Sequence, residues 1–418
     1  MDLVSFLEWF QSLPFYRGWL TFFAWYPMLT GLMWIMTSIL YARRREAKSA
    51  TPSTLPRRPP LVTVMIPAYC EGRFISETID SVLAIEYPAF EVLVVDDAST
   101  DDTLHQLHPY VASGKVRLVR KTVNEGKAMA INDALLCARG EIILIMDADA
   151  RPAPDILRHL APHFAAPRVG GVTGNPRVAN RSRLLGRLQA IEFTSIVSLQ
   201  KRAQRVWGRI LTVSGVVGAF HRDALFDVGL FSPDMATEDI DVSWKLQLRH
   251  WDIRYEPRAV VWMRVPERLG DLWKQRRRWS LGLAQVLRRH GTNALRWKNR
   301  RFWPVLLESA TSIFWGYSFV ILTAIWITSY AVGYPPIGAS PIPNWWGMMM
   351  ATVCLGQLLT GVVLDRRYDI ALGRSYAVAI FYPLIYWMLL ALVTFRSTPA
   401  GFFRRPEKKV TRWKTRRD

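Results

Sequence analysis

The sequence contains little cysteine and comparatively little negative charge. Its 418 residues include three cysteines, Cys70, Cys137 and Cys354, whose spacing matches neither a disulfide framework nor a zinc site. Acidic residues number 34 against 54 lysines and arginines, which gives a formal net charge of +20. No internal repeat or recognisable nucleic-acid module accompanies this charge. A disulfide-held scaffold is therefore excluded, and the chain is compatible with a reducing cytoplasm.

The positive charge lies beside apolar runs. Basic clusters occupy 43–45, 276–278, 288–301 and 404–417, and the chain contains 18 tryptophans. Cytoplasmic flanks of membrane segments show this pattern, and tryptophan is enriched where such segments meet water. We therefore expect the lipid bilayer, and no nucleic acid, to be a partner of the protein.

An uncharged run near the amino terminus, Trp19–Tyr41, exceeds the roughly 20 residues needed to cross a bilayer. A cleaved signal peptide is the alternative. It is disfavoured because Asp2 and Glu8 precede the run and no A-x-A site follows it. The basic flank at 43–45 places the following residues in the cytoplasm.

Three further uncharged runs lie near the carboxyl terminus, at 309–332, 345–364 and 376–395. Four crossings in total would place the basic tail outside, against the positive-inside rule. Either one run is interfacial or re-entrant, with Pro383 marking the last as the candidate, or the tail breaks the rule.

Between the apolar ends, short β-branched runs alternate with amphipathic segments near 73–84, 101–111 and 126–138. The strand candidates are Leu61–Ile66, Glu91–Val95, Val116–Val119 and Glu141–Met146. This alternation predicts an α/β fold, a mostly parallel sheet with helices on both faces, and ligands bind such a sheet beyond the carboxyl ends of its strands. We divide the chain into an N-terminal membrane segment (1–45), a linker (46–60), the α/β domain (61–263), interfacial helices (264–301), a transmembrane block (302–396) and a basic tail (397–418).

Acidic residues stand at the predicted carboxyl ends of two strands. Asp147 and Asp149 follow the apolar run 142–146, and in an extended segment they would project to the same side. Paired carboxylates suit Mg²⁺ or Mn²⁺ shared with substrate phosphates. A bare D-x-D is more often a solvated loop, but its position after a strand favours a site. Asp96-Asp97 is a second candidate, with a turn or helix cap as its alternative.

Two further motifs lie in predicted helices. Glu238 and Asp239 begin an amphipathic stretch that ends near Arg249, where acidic residues also suit the helix dipole. Gln275–Trp279, with the letters QRRRW, lies in a basic helix that an interfacial role alone would explain. Lys127 follows Gly126 at the start of a third helix, as an anion site or as a solvated helix start.

In chain order these motifs, followed by a hydrophobic block, resemble processive family-2 glycosyltransferases, the group of cellulose, chitin, hyaluronan and poly-N-acetylglucosamine synthases. The resemblance covers nearly the whole chain and implies a GT-A-type fold and direct inverting transfer. It implies that Asp239 is the catalytic base and that Asp147 and Asp149 hold the metal. It implies substrate-binding roles for Pro67, Tyr69, Glu71, Asp96, Asp97, Lys127, Asp147, Gly215, Glu238, Gln275, Arg278 and Trp279.

Within that resemblance, Arg278 contacts diphosphate, Trp279 faces the acceptor sugar and Gly215 belongs to the acceptor floor. Cys70 departs from the family's nucleotide loop, which more often has Asn there. The stretches 234–245, 272–276 and 382–387 are most similar to the poly-N-acetylglucosamine branch. That likeness implies UDP-N-acetylglucosamine as donor, a growing polysaccharide exported across the bacterial inner membrane, a cytoplasmic catalytic domain and a small membrane partner subunit.

Two alternatives remain. One is another processive synthase, of chitin, hyaluronan or cellulose type, or a lipid-linked sugar transferase. The other is a non-catalytic membrane scaffold, which is disfavoured because every motif residue is present.

Overall fold

A computed structural model describes residues 2–46, 58–334 and 345–403. Most of the predicted linker, the proline-rich break before 345 and most of the basic tail lie outside the described residues. The strands are β1 (Val62–Ala68), β2 (Phe90–Asp96), β3 (Arg117–Arg120), β4 (Ile142–Met146), β5 (Arg151–Pro152), β6 (Val169–Val178), β7 (Val217–His221) and β8 (Asp252–Met263).

The helices that begin before residue 249 include those that connect and cover these strands. They are α1 (Leu3–Ser12), α2 (Pro14–Tyr41), α3 (Ile75–Leu83), α4 (Thr103–Ala112), α5 (Gly126–Leu135), α6 (Ile156–Leu160), α7 (Leu184–Glu192), α8 (Gln200–Trp207), α9 (Arg222–Asp227) and α10 (Glu238–Leu248). The later helices are α11 (Leu269–Ala294), α12 (Trp303–Ala331), α13 (Trp345–Asp365), α14 (Leu372–Ser375) and α15 (Trp387–Phe403). Shorter helical turns join several of them.

The strands form one eight-stranded sheet in the order β3-β2-β1-β4-β7-β6-β8-β5. The first four strands are mutually parallel, whereas β7 runs antiparallel to both β4 and β6. β6 and β8 are again parallel. The predicted parallel arrangement is confirmed for the part of the sheet that carries the candidate motifs.

Alternating side chains of β1 enter two separate cores. Val64 and Ile66 pack with α3 and α4 on one face, and Met65 packs with α5 and α10 on the other. A parallel sheet needs this double cover, which explains why every residue of β1 is buried. The register pairs Ala68 with Asp96, so the ends of β1 and β2 lie side by side at one edge of the sheet.

Three helical segments in the described residues are long and apolar enough to cross a membrane: Pro14–Glu46, Trp297–Ala331 and Trp345–Asp365. The last predicted run, 376–395, is not one helix. It passes through a tight turn at Tyr376–Ile380 and a wide π-helical turn at Tyr382–Tyr386 before α15 begins. Pro383, which cannot donate a backbone hydrogen bond, lies in that interruption.

α11 packs closely against two neighbours through glycines. A Cβ atom at Gly282 would lie 2.1 Å from Thr237 Oγ1 at the start of α10. A Cβ atom at Gly401 of α15 would lie 2.6 Å from Ala284 Cβ of α11. α11 is therefore held between the α/β domain and the last helix.

A buried ion cluster joins the membrane helices to the α/β domain. Arg202 Nε lies 2.6 Å from Glu46 Oε1, and its Nη1 lies 2.8 Å from Asp365 Oδ1. Arg177 Nη2 lies 2.5 Å from Asp365 Oδ2, and Ser198 Oγ donates to Oδ1 at 2.9 Å. We call Glu46, Arg177, Arg202 and Asp365 the basal ion cluster. Glu46 follows α2 and Asp365 ends α13, so two sequence-distant segments meet at α8.

Replacing Arg202 with Met should unfold this junction. Its loss removes a cation that pairs with both carboxylates and leaves Asp365 with Arg177 and Glu46 with the exposed Arg367, at a cost of up to about 3–5 kcal/mol for breaking a buried pair. We expect the melting temperature in detergent to fall by many degrees. The control variant Arg249→Met removes an exposed ion pair with Asp227 and should leave the melting temperature unchanged. Equal melting temperatures for the two variants would contradict the structural role of the cluster.

Replacing Gly282 with Ala should separate α11 from α10. The added methyl group has no room beside Thr237, and overpacking of this kind costs about 1–3 kcal/mol. Gly291→Ala is the matched control on the same helix, because nothing lies within 4 Å of its Cβ position. Thermal unfolding should show destabilisation at 282 and none at 291, where alanine favours the helix.

Candidate active site

Lys127 is at the centre of a charged cluster at the carboxyl edge of the sheet. Its Nζ lies 2.5 Å from Asp147 Oδ1 and 3.7 Å from Glu238 Oε1, and it donates to Gly215 O at 3.0 Å. Burial alone would lower the pKa of Lys127, but the carboxylates of Asp147 and Glu238 outweigh it and raise that pKa. Lys127 therefore stays charged and joins three segments that are distant in sequence.

Asp147 and Asp149 lie in a turn that directly follows β4. The Ala150 N–H donates to Asp147 O at 3.1 Å, and Thr78 Oγ1 donates to Ala148 O at 2.8 Å. The expectation of an extended segment is therefore wrong, because the chain must reverse here before β5. Asp147 is half-buried and Asp149 is buried.

The loop after β1 has a left-handed residue at its centre. Cys70 has φ of +54°, and its N–H donates to Ser99 Oγ at 2.9 Å. Asparagine tolerates this conformation better than most residues, so the Asn that the family resemblance leads us to expect here would fit the same backbone. The next residue, Glu71, donates its N–H to Thr103 Oγ1 at 2.9 Å. Tyr69 and Glu71 are half-buried at the sheet edge, and Pro67 is buried within β1.

The adjacent aspartates at the end of β2 have different environments. Both oxygens of Asp97 accept backbone N–H groups at the start of α5, from Glu125 at 3.1 Å and Gly126 at 2.7 Å. Burial raises the pKa of Asp97, and these hydrogen bonds oppose the shift. Asp96 accepts from Ser99 N–H at 3.2 Å through Oδ1 only. Its Oδ2 is buried without a hydrogen-bond partner in the described part of the chain.

Asp239 lies beside the Lys127 cluster in the first turn of α10. Its Oδ2 accepts from Gly215 N–H at 3.2 Å, and its Oδ1 accepts from Ile240 N–H at 2.9 Å. Burial and the charge of Glu238 raise the pKa of Asp239 to about 6, against the opposing charges of Lys127 and Arg278. A partly buried carboxyl group with a pKa near neutrality, facing a cavity, has the character of a general base. One cavity is lined by Lys127, Gly215, Phe231, Glu238 and Asp239.

Beneath this cavity lies a buried lysine that sequence reasoning missed. Lys201 Nζ donates to Thr173 Oγ1 at 2.7 Å, and the same oxygen accepts from Ser214 N–H at 3.0 Å. Burial lowers the pKa of Lys201 to about 7, against the opposing charge of Asp239. Thr173 and Lys201 thus support the predicted acceptor floor. No motif marks Lys201, because 200–205 has the composition of a solvated basic helix.

The segment Gln275–Trp279 lies in α11, and this helix contacts the backbone at the start of α10 through Arg278 and Gln285. Arg278 is exposed, donates to Ala236 O at 3.3 Å and lies close enough to Asp239 to lower its pKa. Gln285 Oε1 accepts from Ala236 N–H at 3.0 Å, so α11 holds the backbone just before Thr237. Gln275 and Trp279 contact Arg276 rather than the residues around Asp239. The structure therefore brings together Lys127, Asp147, Gly215, Glu238 and Asp239, with Arg278 nearby.

The sequence matches one family model over residues 59–282, described as "Glycosyltransferase like family 2". A solved structure of similar fold, a mannosyltransferase from Pyrobaculum calidifontis in complex with GDP-Man and Mn²⁺, has a TM-score of 0.62 at 23% identity. The similarity covers 91% of this chain and 98% of that chain. The fold is therefore that of GT-A glycosyltransferases.

Curated relatives match over nearly their whole length. The poly-β-1,6-N-acetyl-D-glucosamine synthase of Staphylococcus epidermidis is 34% identical over 92% of this chain and 95% of its own. The enzyme of the same name from Staphylococcus aureus is 32% identical with the same coverage of both chains. Together with the family model and the fold, these similarities show that the chain is a membrane glycosyltransferase of family 2 and belongs to the family of poly-β-1,6-N-acetyl-D-glucosamine synthases.

Proposed function

We propose that the protein transfers N-acetylglucosamine from UDP-N-acetylglucosamine to a growing β-1,6-linked polysaccharide, processively and with inversion. The observation that carries the proposal is the cavity in which Asp239, its pKa near 6, faces Lys127 and the Asp147 turn. Glu238, the second carboxyl group of the cavity, pairs with Lys127, which leaves Asp239 as the proposed base. One base is sufficient for direct displacement, whereas retaining glycosidase chemistry needs a nucleophile and a partner acid. The names of the full-length relatives support this donor and linkage.

The donor half of the proposed site lies along the sheet edge. The buried Asp96 Oδ2 is an acceptor that a uracil N–H or ribose hydroxyl would satisfy. The loop from Pro67 to Glu71 borders it on β1, and Asp97 holds α5 in place. Lys127 and Arg278 are the cations available to the diphosphate, Arg278 with a planar fork suited to phosphate oxygens.

The acceptor half lies between Gly215 and α11. Asp239 would take the proton of the acceptor hydroxyl while the acceptor oxygen attacks the anomeric carbon of the donor sugar. UDP would leave from the opposite face of that carbon. The N–H groups of Gly215 and Ile240 fix the orientation of the carboxylate. Glu238 keeps Lys127 close, and Gln275 and Trp279 are proposed to contact the sugar chain.

A divalent cation fits the residues present. No group of three or more His, Cys, Asp or Glu in the described ranges could hold a metal without help. Mg²⁺ commonly uses one or two carboxylates and completes its shell with water and substrate phosphates, which suits Asp147 and Asp149. When bound, Mg²⁺ or Mn²⁺ would neutralise charge on the departing diphosphate.

We further propose three membrane crossings, by α2, α12 and α13, in a bacterial inner membrane. The chain then leaves the membrane on the cytoplasmic side after residue 46 and again after residue 365. Both exits lie at the same depth, which agrees with the meeting of Glu46 and Asp365 at Arg202. Three crossings, unlike four, leave the basic tail on the cytoplasmic side, as the positive-inside rule requires. The small membrane partner subunit remains a prediction.

The product decides between this proposal and its alternatives. Purified membranes supplied with UDP-N-acetylglucosamine and Mg²⁺ should form a polymer whose linkage analysis gives β-1,6 bonds. A different linkage or a lipid-linked product would favour another synthase. Absence of any transfer with this donor, alongside activity with a different nucleotide sugar, would reject the proposed donor.

Asp239→Asn should reduce polymer formation by on the order of 10²-fold or more, because the amide cannot accept a proton. UDP affinity should stay close to that of the wild type, since the base acts on the acceptor. The wild-type rate should fall as the pH drops below about 6, where Asp239 becomes protonated. Wild-type rates in the Asn variant would place the base elsewhere.

Asp149→Ala should abolish turnover while the protein still folds and inserts, and EDTA should inactivate the wild type. Asp155, exposed six residues later, supplies the control variant Asp155→Ala, which should retain activity and metal dependence. A wild-type enzyme that is fully active in chelator would refute the metal site.

Single cysteines test the topology from the periplasmic side in intact cells. A membrane-impermeant reagent should label position 338 and miss positions 50 and 410. Labelling at 50 would overturn the cytoplasmic placement of the catalytic domain. Labelling at 410 alone would indicate a fourth crossing.

A further inference from the structure

Arg276 differs from the two arginines that follow it. Its side chain is 2% exposed, whereas Arg277 and Arg278 are exposed on the surface of α11. The guanidinium pairs with the Glu192 carboxylate and donates to the Tyr386 hydroxyl at 3.1 Å. Tyr386 in turn donates to Glu192 Oε2 at 2.6 Å. The three side chains thus form a closed, buried set of contacts inside the protein.

This buried set touches the two residues proposed to meet the sugar chain. Arg276 Nη1 donates to Gln275 Oε1 at 3.0 Å. Because a guanidinium only donates, the amide oxygen of Gln275 must face Arg276, and the amide NH₂ is left for a ligand. On the other side, the Arg276 guanidinium lies 4.0 Å from the centre of the Trp279 ring. One face of Trp279 is therefore covered, and its orientation is set by a cation–π contact.

Stability alone is a poor reason for such an arrangement. Buried ion pairs often contribute less than apolar side chains of the same volume, because both charges lose their water. Glu192 Oε1 and Arg276 Nε are buried without hydrogen-bond partners in the described residues, which adds to the cost. What the arrangement does provide is a fixed geometry for Gln275 and Trp279.

The partners of Arg276 come from two irregular helical segments. Glu192 ends α7, directly before a π-helical stretch at Phe193–Leu199, and Phe193 meets Trp279 edge-on at 6.5 Å. Tyr386 ends the π-helical turn that contains Pro383, and its ring stacks on Tyr382 at 5.0 Å. The interruption of the last apolar run is thus what delivers the Tyr386 hydroxyl to Arg276.

We propose that Arg276, Glu192 and Tyr386 are positioning residues that set the Gln275 amide and the Trp279 ring for the growing sugar chain. The inference rests on the proposed function, since it takes that chain as the ligand of Trp279. It adds a determinant of acceptor affinity that lies outside the cavity around Asp239. The proposed donor contacts at the sheet edge involve none of these three side chains.

Tyr386→Phe is the most direct test, because it removes one hydroxyl and leaves the ion pair in place. With an oligosaccharide of β-1,6-linked N-acetylglucosamine as acceptor, we expect its KM to rise about three- to tenfold. The KM for UDP-N-acetylglucosamine should stay unchanged. Arg276→Lys should have a larger effect in the same direction, since an ammonium lacks the planar fork and stacking surface.

Two controls match these variants. Tyr376→Phe removes another hydroxyl of the same apolar run, one that donates to Leu355 O of α13 at 3.0 Å rather than meeting Arg276 or Glu192. Arg277→Lys makes the same chemical change as Arg276→Lys at an exposed neighbour. Both controls should leave the acceptor KM unchanged.

The inference is overturned if Tyr386→Phe lowers the melting temperature or kcat without raising the acceptor KM above that of Tyr376→Phe. It is also overturned if Trp279→Ala leaves the acceptor KM unchanged, an outcome under which the transferase proposal stands. A wild-type enzyme that transfers nothing from UDP-N-acetylglucosamine would instead overturn both.

Discussion

The attraction between Arg202 and the carboxylates of Glu46 and Asp365 is the interaction on which the arrangement of the whole chain depends. These groups are buried, so each would carry a large desolvation cost without the others. Because Glu46 follows the first apolar helix and Asp365 ends another, their meeting point fixes two membrane helices against one helix of the catalytic domain. The distance between the catalytic domain and the membrane helices is therefore set by electrostatics rather than by a flexible connection.

The same helix carries this constraint into the active site. Lys201, next to Arg202 in α8, reaches the opposite way to Thr173, whose hydroxyl also accepts from the Ser214 N–H. The following residue, Gly215, donates its N–H to Asp239 and accepts from Lys127. A series of polar contacts, linked through the backbone at Lys201–Arg202 and Ser214–Gly215, thus leads from the membrane helices to Asp239, the carboxylate proposed as the base. A change at Arg202 would disturb both ends of it.

The sequence was most informative where local pattern and burial coincide. β1, β2 and β4 were predicted because strands buried on both faces are continuous apolar runs. β8 was not, since Arg254, Glu256 and Arg258 interrupt it with charge. The motif carboxylates were found by spacing. Lys201 and the buried role of Arg276 could not be found in this way, because only contacts with residues far along the chain distinguish a buried cation from a solvated one.

The two proposed halves of the site, donor and acceptor, rest on different supports. The donor half extends from strands whose side chains fill two apolar cores, so its geometry follows from the sheet itself. The acceptor half depends on α11, which is held by the close approach at Gly282, the backbone contacts to Ala236 and the irregular segments around Glu192 and Tyr386. Most of these supports are polar contacts with residues far along the chain. Under the proposed function, the advancing polymer would meet the part of the site that is attached to the membrane helices, while the strand-end residues proposed to bind the nucleotide stay fixed to the sheet.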